Sequence, residues 1–121
     1  MSNVNESLDQ VMNIDGAFAS AIVDYESGMT LGTRNTTNGF DIEVAASGNT
    51  TVVRSKMEVM QQLAIGGGID DILITLDTQY HLIRPLRSGG SLFLYVAIDR
   101  KRGNLGMARH QVAAIEKQLT I

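Results

Sequence analysis

The sequence contains no cysteine, no tryptophan and one proline, and only 5% of its residues are aromatic. Without cysteine the chain has no disulfide, no thiolate metal site and no cysteine nucleophile, so its stability must come from packing. The net charge of -3 does not favour a phosphate backbone, and we expect no nucleic-acid partner. The longest apolar stretches, such as residues 91–98, are far shorter than a membrane span of roughly 20 residues, so we expect no membrane insertion.

The chain has 121 residues, of which 44% are hydrophobic, and this balance predicts one folded domain over residues 1–121. The polar, acidic stretch at residues 1–10 lacks the basic and apolar regions of a secretory signal. We therefore expect a cytoplasmic protein.

Hydrophobic spacing predicts an α+β fold with the order helix, two strands, long helix, three strands, helix. The predicted elements are a short helix from Val4 to about Asn13, strands at 17–24 and 29–33, a helix at 42–65, strands at 69–76, 80–86 and 92–99, and a helix from Leu105 to Leu119. We expect a five-stranded antiparallel sheet with the first and last helices on one face and the long helix on the other.

Two strands carry further information. Residues 92–98 are apolar at every position, which places this strand at the centre of the sheet, and Pro85 must lie near a strand end. In the first strand, alternation puts small side chains on one side, where a helix can lie close, and Phe18 and Ile22 on the other. The residues of the small side are Ala17, Ala19, Ala21 and Val23.

The long helix has two adjacent apolar stripes, which is more than one contact with a sheet requires. The first stripe is Ile42, Ala46, Val53, Met57, Met60 and Ala64, and the second is Ala45, Val52, Val59 and Leu63. Only Asn49 and Lys56 interrupt this surface. Gly48 and the β-branched residues that follow it lower helix propensity, so a kink or break near Gly48 is an alternative to a continuous helix. The glycine run at 66–68 is expected to end the helix.

The sequence offers little catalytic chemistry. The glycines at 66–68 end a helix and open a strand, the reverse of a phosphate loop. His81 and His110 lack neighbouring carboxylates at metal-binding spacing, and the acidic pair at 70–71 falls at a strand end, where solvated carboxylates are ordinary. We expect no catalytic residue, no metal and no cofactor, and hence no enzyme.

Four segments carry a likeness to a known family: residues 16–24 (GAFASAIVD), 27–31 (SGMTL), 94–97 (LYVA) and 104–109 (NLGMAR). With the order of elements, they resemble the roadblock (dynein light chain) family over roughly residues 8–119. The resemblance implies a non-enzymatic homodimer that pairs its long helices and the edge of its third strand. It also implies the bacterial type that regulates small Ras-like GTPases, as activator or scaffold.

Carried onto this sequence, the resemblance implies a dimer interface formed by the second stripe of the long helix and the third strand. Its residues are Val52, Val59 and Leu63 with Ile72 and Ile74, and Met60 is added because methionine suits an adaptable interface.

Two further hypotheses accompany this one. A sheet covered on both faces can enclose a small ligand, so a ligand-binding sensor is the alternative function, although Ser20 and Thr75 are the only polar side chains expected to point inward. The cationic cluster Arg100, Lys101 and Arg102 precedes the last helix, whose dipole does not favour it. It is either a solubilising turn or a contact for an acidic partner.

Overall fold

The structure is a computed structural model and describes residues 2–87 and 90–121. It contains three helices and five strands within that part of the chain: α1 (Val4–Met12), β1 (Ala17–Asp24), β2 (Thr30–Asn35), α2 (Ile42–Gln62), β3 (Ile72–Thr75), β4 (Gln79–Pro85), β5 (Leu92–Asp99) and α3 (Leu105–Gln118). The strands form one antiparallel sheet in the order β2-β1-β5-β4-β3. The predicted α+β fold is confirmed.

The central strand is β5, as its apolar sequence predicted. It pairs with β1 on one side and β4 on the other, and its residues from Leu92 to Ile98 are all buried. Pro85 is the last residue of β4, where its missing amide hydrogen costs little.

The two faces of the sheet carry separate cores. Leu8 of α1 and Val112 of α3 pack with Ile22, Leu94 and other sheet residues on one face, whereas Val53 of α2 packs on the opposite face. Asn3 ties the first helix to the last: its amide group donates to the Gln118 carbonyl at 2.8 Å, and its side-chain oxygen accepts from the Thr120 amide at 2.7 Å.

The expectation that Ala17 shares a side with Ala19 is wrong. The register of β1 against β5 shifts between these two residues, so that Ala17 packs with the α1 and α3 core while Phe18 lies on the α2 side. A bulge of this kind adds one residue to a strand and reverses the alternation before it.

The long helix is continuous through Gly48, but it ends three residues before the predicted boundary at Ile65. Ala64 takes a left-handed conformation with φ 56°, its amide donates to the Gln61 carbonyl at 3.1 Å, and the Ile65 amide donates to the Met60 carbonyl at 2.9 Å. This is a Schellman cap, which glycine usually occupies. The helix therefore stops at an alanine, ahead of the glycines that were expected to stop it.

Strand β3 is shorter than the predicted residues 69–76, and Thr75 does not point inward. Ile72 and Ile74 face the α2 side of the sheet and Leu73 faces the other side, while Thr75 is exposed at the end of this edge strand. The interior polar side chains are instead Ser20, as predicted, with Ser7, Asn49, Thr50 and Glu116.

Candidate interaction surface

The α2 side of the sheet is unevenly covered. Helix α2 approaches β1 and β2 most closely, which leaves a groove of about 630 Å³ between α2 and the β3 edge. The groove is lined by Thr51, Val52, Ser55, Lys56, Val59, Ile69, Asp71 and Ile72. Its floor is formed by aliphatic side chains, so exclusion of water from it would favour association.

The structure brings three of the sequence-predicted interface residues together. Val52, Val59 and Ile72 all line the groove, with Val59 40% exposed and the other two half-buried. Ile74 lies further along β3, half-buried and packed against the α2-side core.

The remaining two predicted residues lie towards the C-terminal end of α2. Leu63 caps the helix and is 63% exposed, and Met60 lies in an adjoining cavity of about 360 Å³ with Met57, Ile65 and Ile69. Groove and cavity share Ile69, so Val52, Val59, Met60 and Ile72 border one connected region, whereas Leu63 and Ile74 line neither part of it.

Sequence reasoning missed Val44, which is 67% exposed in the first turn of α2. The turn itself is well formed, because the Asp41 carboxylate accepts hydrogen bonds from the amides of Glu43 and Val44 at 3.1 Å. A single valine among small and polar neighbours gives no periodic signal, so only its exposure identifies it.

Strand β3 also has an open edge. Its residues pair with β4 from Ile72 opposite Ile83 to Thr75 opposite Tyr80, and within residues 2–87 and 90–121 no strand pairs with its other side. An edge of this kind presents unpaired backbone donors and acceptors to a second strand. The edge and the groove lie side by side.

Beneath α2, a chain of polar side chains joins the helix to the sheet. His81 Nε2 lies 2.7 Å from the Gln79 side-chain oxygen, and His81 Nδ1 lies 3.3 Å from the Tyr95 hydroxyl, which also hydrogen-bonds Asn49. Burial lowers the pKa of His81 and raises the pKa of Tyr95, so that both side chains are neutral at neutral pH. These polar side chains are hydrogen-bonded to one another, and they help to pack α2 against the sheet.

Most arginines are held by carboxylates. Arg84 pairs with Glu116 at 2.9 Å, Arg109 makes two 3.0 Å hydrogen bonds to Asp71, and Arg34 pairs with Asp9 at 2.9 Å. Arg87 pairs with Asp70. The Arg109 contact ties α3 to the residue just before β3 and thereby supports the edge strand.

The cationic cluster at residues 100–102 divides into two parts. Arg100 donates to the Leu76 carbonyl at 2.8 Å and covers the Tyr80 ring at 5.0 Å, so it braces the turn between β3 and β4. Lys101 and Arg102 are exposed, and Arg102 borders an open cavity of about 540 Å³ near Phe18 and Phe40.

Within residues 2–87 and 90–121, no three histidine or acidic side chains converge as a metal site would require. None of the helices in the same residues combines the length and the apolar character that crossing a membrane demands.

The sequence matches no protein-family model and no curated protein. Solved structures do match. The chain is similar to a Roadblock/LC7 domain from Streptomyces avermitilis with a TM-score of 0.80 and 12% identity, over 97% of this chain and 94% of that one.

Two proteins from Myxococcus xanthus are also similar. MglB gives a TM-score of 0.82 at 16% identity, over 95% of this chain and 89% of that one. MglC gives a TM-score of 0.66 at 18% identity, over 94% and 93%. Together with the strand order and the helices on both faces, these likenesses show that the chain has the Roadblock/LC7 fold.

Proposed function

We propose that this chain is a non-enzymatic, homodimeric adaptor or regulator of a small Ras-like GTPase, acting as a scaffold or as an activating partner. The observation that carries the proposal is the apolar groove between α2 and the open β3 edge, on a fold shared with MglB.

The groove supports the proposed dimer. Val59 and Leu63 expose apolar surface beside an unpaired strand, and an exposed apolar edge favours self-association. A two-fold axis lets one such surface bury its own copy, which is the commonest arrangement of soluble homo-oligomers. One of the similar structures is described as MglB with a tetrameric arrangement, so a protein of this fold assembles.

The absence of an enzymatic role is supported by the state of the polar side chains. His81 is neutral and hydrogen-bonded within the fold, and Arg84 and Arg109 are paired with carboxylates. These groups stabilise the protein and are not directed at a substrate.

The GTPase partner rests on the likeness to MglB, which another of the similar structures describes as a gliding protein of Thermus thermophilus. Regulation of a small GTPase is also what the resemblance to bacterial roadblock proteins implies. Exposed α2 residues outside the groove, such as Arg54 and Glu58, leave part of the helix for such a partner.

The test has two stages. Light scattering at micromolar concentration should give about twice the chain mass of 13.1 kDa. Each small Ras-like GTPase of the source organism is then loaded with GDP or a non-hydrolysable GTP analogue, and its binding to the immobilised protein is measured. Binding by one GTPase supports the proposal, and binding by none contradicts it. Faster GTP hydrolysis by the bound GTPase identifies an activator, and an unchanged rate identifies a scaffold.

A small-ligand sensor is the second candidate, because the cavity beside Arg102 combines two aromatic side chains with a cationic one. We place it second because the polar side chains of Asn49 and His81 are each hydrogen-bonded to Tyr95 and are therefore engaged within the fold. Saturable heats with aromatic carboxylates in calorimetry, abolished by Arg102→Ala, would favour the sensor.

A further inference from the structure

We infer a specific register for the dimer: two copies of α2 pair antiparallel, and Val59 of each copy fills the gap at Gly48 of the other. This inference rests on the proposed homodimer and goes further by naming the side chains that meet.

The starting observation is where α2 exposes large apolar side chains. Within the described residues these are Val44, Val59 and Leu63, with exposures of 67%, 40% and 63%. Val44 lies at the beginning of the helix and Leu63 at its end. Antiparallel pairing across a two-fold axis brings these two ends together, so that each covers the other.

If Val44 of one copy lies opposite Leu63 of the other, the positions of the next pair of facing residues are fixed as well. Four residues after Val44 is Gly48, and four residues before Leu63 is Val59. At Gly48, apart from the two neighbouring residues and the backbone of the helix itself, no atom of residues 2–87 and 90–121 lies within 4 Å of the place where a Cβ would stand. An exposed valine therefore meets a gap in the partner helix.

One further step of four residues pairs Val52 with Ser55, and both line the groove beside β3. Residues four apart form rows on a helix surface, and packing one row into the space beside another is how helices interlock. The row of Val44, Gly48 and Val52 has a gap at its middle, and the row of Leu63, Val59 and Ser55 has a valine there.

A second copy is a better occupant than an unlike partner because this match is between the helix and itself. Lys56 is the one charged α2 residue among those that line the groove in the described part of the chain, so charge complementarity offers little to a strongly acidic or basic partner.

The natural absence of cysteine makes the register testable by crosslinking. Chains carrying Gly48→Cys are mixed with chains carrying Val59→Cys and oxidised with copper phenanthroline. Positions 48 and 59 of one α2 are about 16 Å apart along the helix axis at roughly 1.5 Å per residue, which no disulfide spans. The mixture should give a crosslinked pair on a non-reducing gel, and either variant alone should give little.

Ser47→Cys mixed with Val59→Cys is the matched control, because position 47 is rotated by about 100° from position 48 on the helix. Equal crosslinking through 47 and 48, or none through 48 in a protein that light scattering shows to be dimeric, overturns the register and leaves the dimer intact. A monomeric wild type overturns both.

A substitution without cysteine provides an independent measurement. Gly48→Ala fills the gap and should weaken the dimer roughly ten-fold, and adding Val59→Ala should recover most of that loss. Ser47→Ala is the control. An unchanged dimer Kd for Gly48→Ala contradicts the register.

Discussion

Arg84 of β4 donates through Nε to Oε1 of Glu116 in α3 at 2.9 Å, and their side chains are only 14% and 6% exposed. The pair joins the terminal helix to the sheet from positions far apart in the chain. Both charges are largely removed from water, so each depends on the other for its stabilisation.

Removing one member of this pair should destabilise the fold strongly. Glu116→Ala leaves the Arg84 guanidinium buried without its carboxylate, and we expect the free energy of unfolding to fall by about 3 kcal/mol. Urea denaturation followed by circular dichroism measures it. Glu58→Ala, at an exposed position of α2, is the control and should change stability by less than about 0.5 kcal/mol. Similar losses of unfolding free energy in both variants would show that the Arg84–Glu116 pair stabilises the fold no more than an exposed residue does.

Val59→Asp should separate the proposed dimer without unfolding the subunit. Val59 is exposed in the single chain, so an aspartate there is hydrated, whereas in the dimer it would be buried without a partner. Sedimentation at micromolar concentration should show monomers with near-native circular dichroism. Ser47→Asp, elsewhere on the exposed surface of α2, should remain dimeric. If the Val59→Asp variant remained dimeric, the dimer interface would not include this part of α2.

Lys101→Ser with Arg102→Ser tests the acidic-partner hypothesis. We expect weaker binding of the cognate GTPase and a shallower dependence of that binding on salt, with the melting temperature unchanged, because both side chains are exposed. Lys117→Ser is the matched control on α3. Unaltered affinity at low salt would leave these residues with a solubilising role.

Arg100 behaves differently from its two neighbours in the structure. Arg100→Ser removes the contact with Tyr80 and the hydrogen bond to Leu76, and should lower the free energy of unfolding by about 0.5–1 kcal/mol. The three cations therefore should not be substituted together, since lost binding and lost stability would then be mixed.

The fold should lose stability as the pH falls below neutral, because burial lowers the pKa of His81 from its ordinary value of 6.5. The unfolded chain takes up this proton at a higher pH than the folded chain does. The contribution of His81 is therefore complete above pH 6.5 and is lost as the pH falls through the lowered folded value. His81→Gln should flatten the difference in urea midpoint between pH 7.5 and pH 5.5. If the urea midpoint of His81→Gln changed as much between pH 7.5 and pH 5.5 as that of the wild type, groups other than His81 would cause the pH dependence.

The sequence predicts the strands with strong alternation or continuous apolar runs well: β1 and β5 begin and end where expected. The end of α2 and the bulge in β1 were missed because Ala64 and Ala17 show no local signal for a left-handed cap or a register shift. The cap at Ala64 and the bulge at Ala17 depend on tertiary contacts, which the spacing of hydrophobic residues along the sequence does not reveal.

The same reason applies to the exposed apolar surface of α2. Periodicity identified the second stripe of α2, including Val52 and Val59, because apolar residues at helical spacing are visible in the sequence. It did not single out Val44, nor Glu116, whose partner Arg84 lies on a different element.

The hydrogen bonds of Asn3 to Gln118 and Thr120 place residues 3 and 120 beside each other, on the face of the sheet opposite α2. The first and last parts of the described backbone are therefore close enough in space to be joined. A short peptide joining these positions would let the chain be reopened at the exposed turn between β1 and β2, giving a circular permutant with the same sheet.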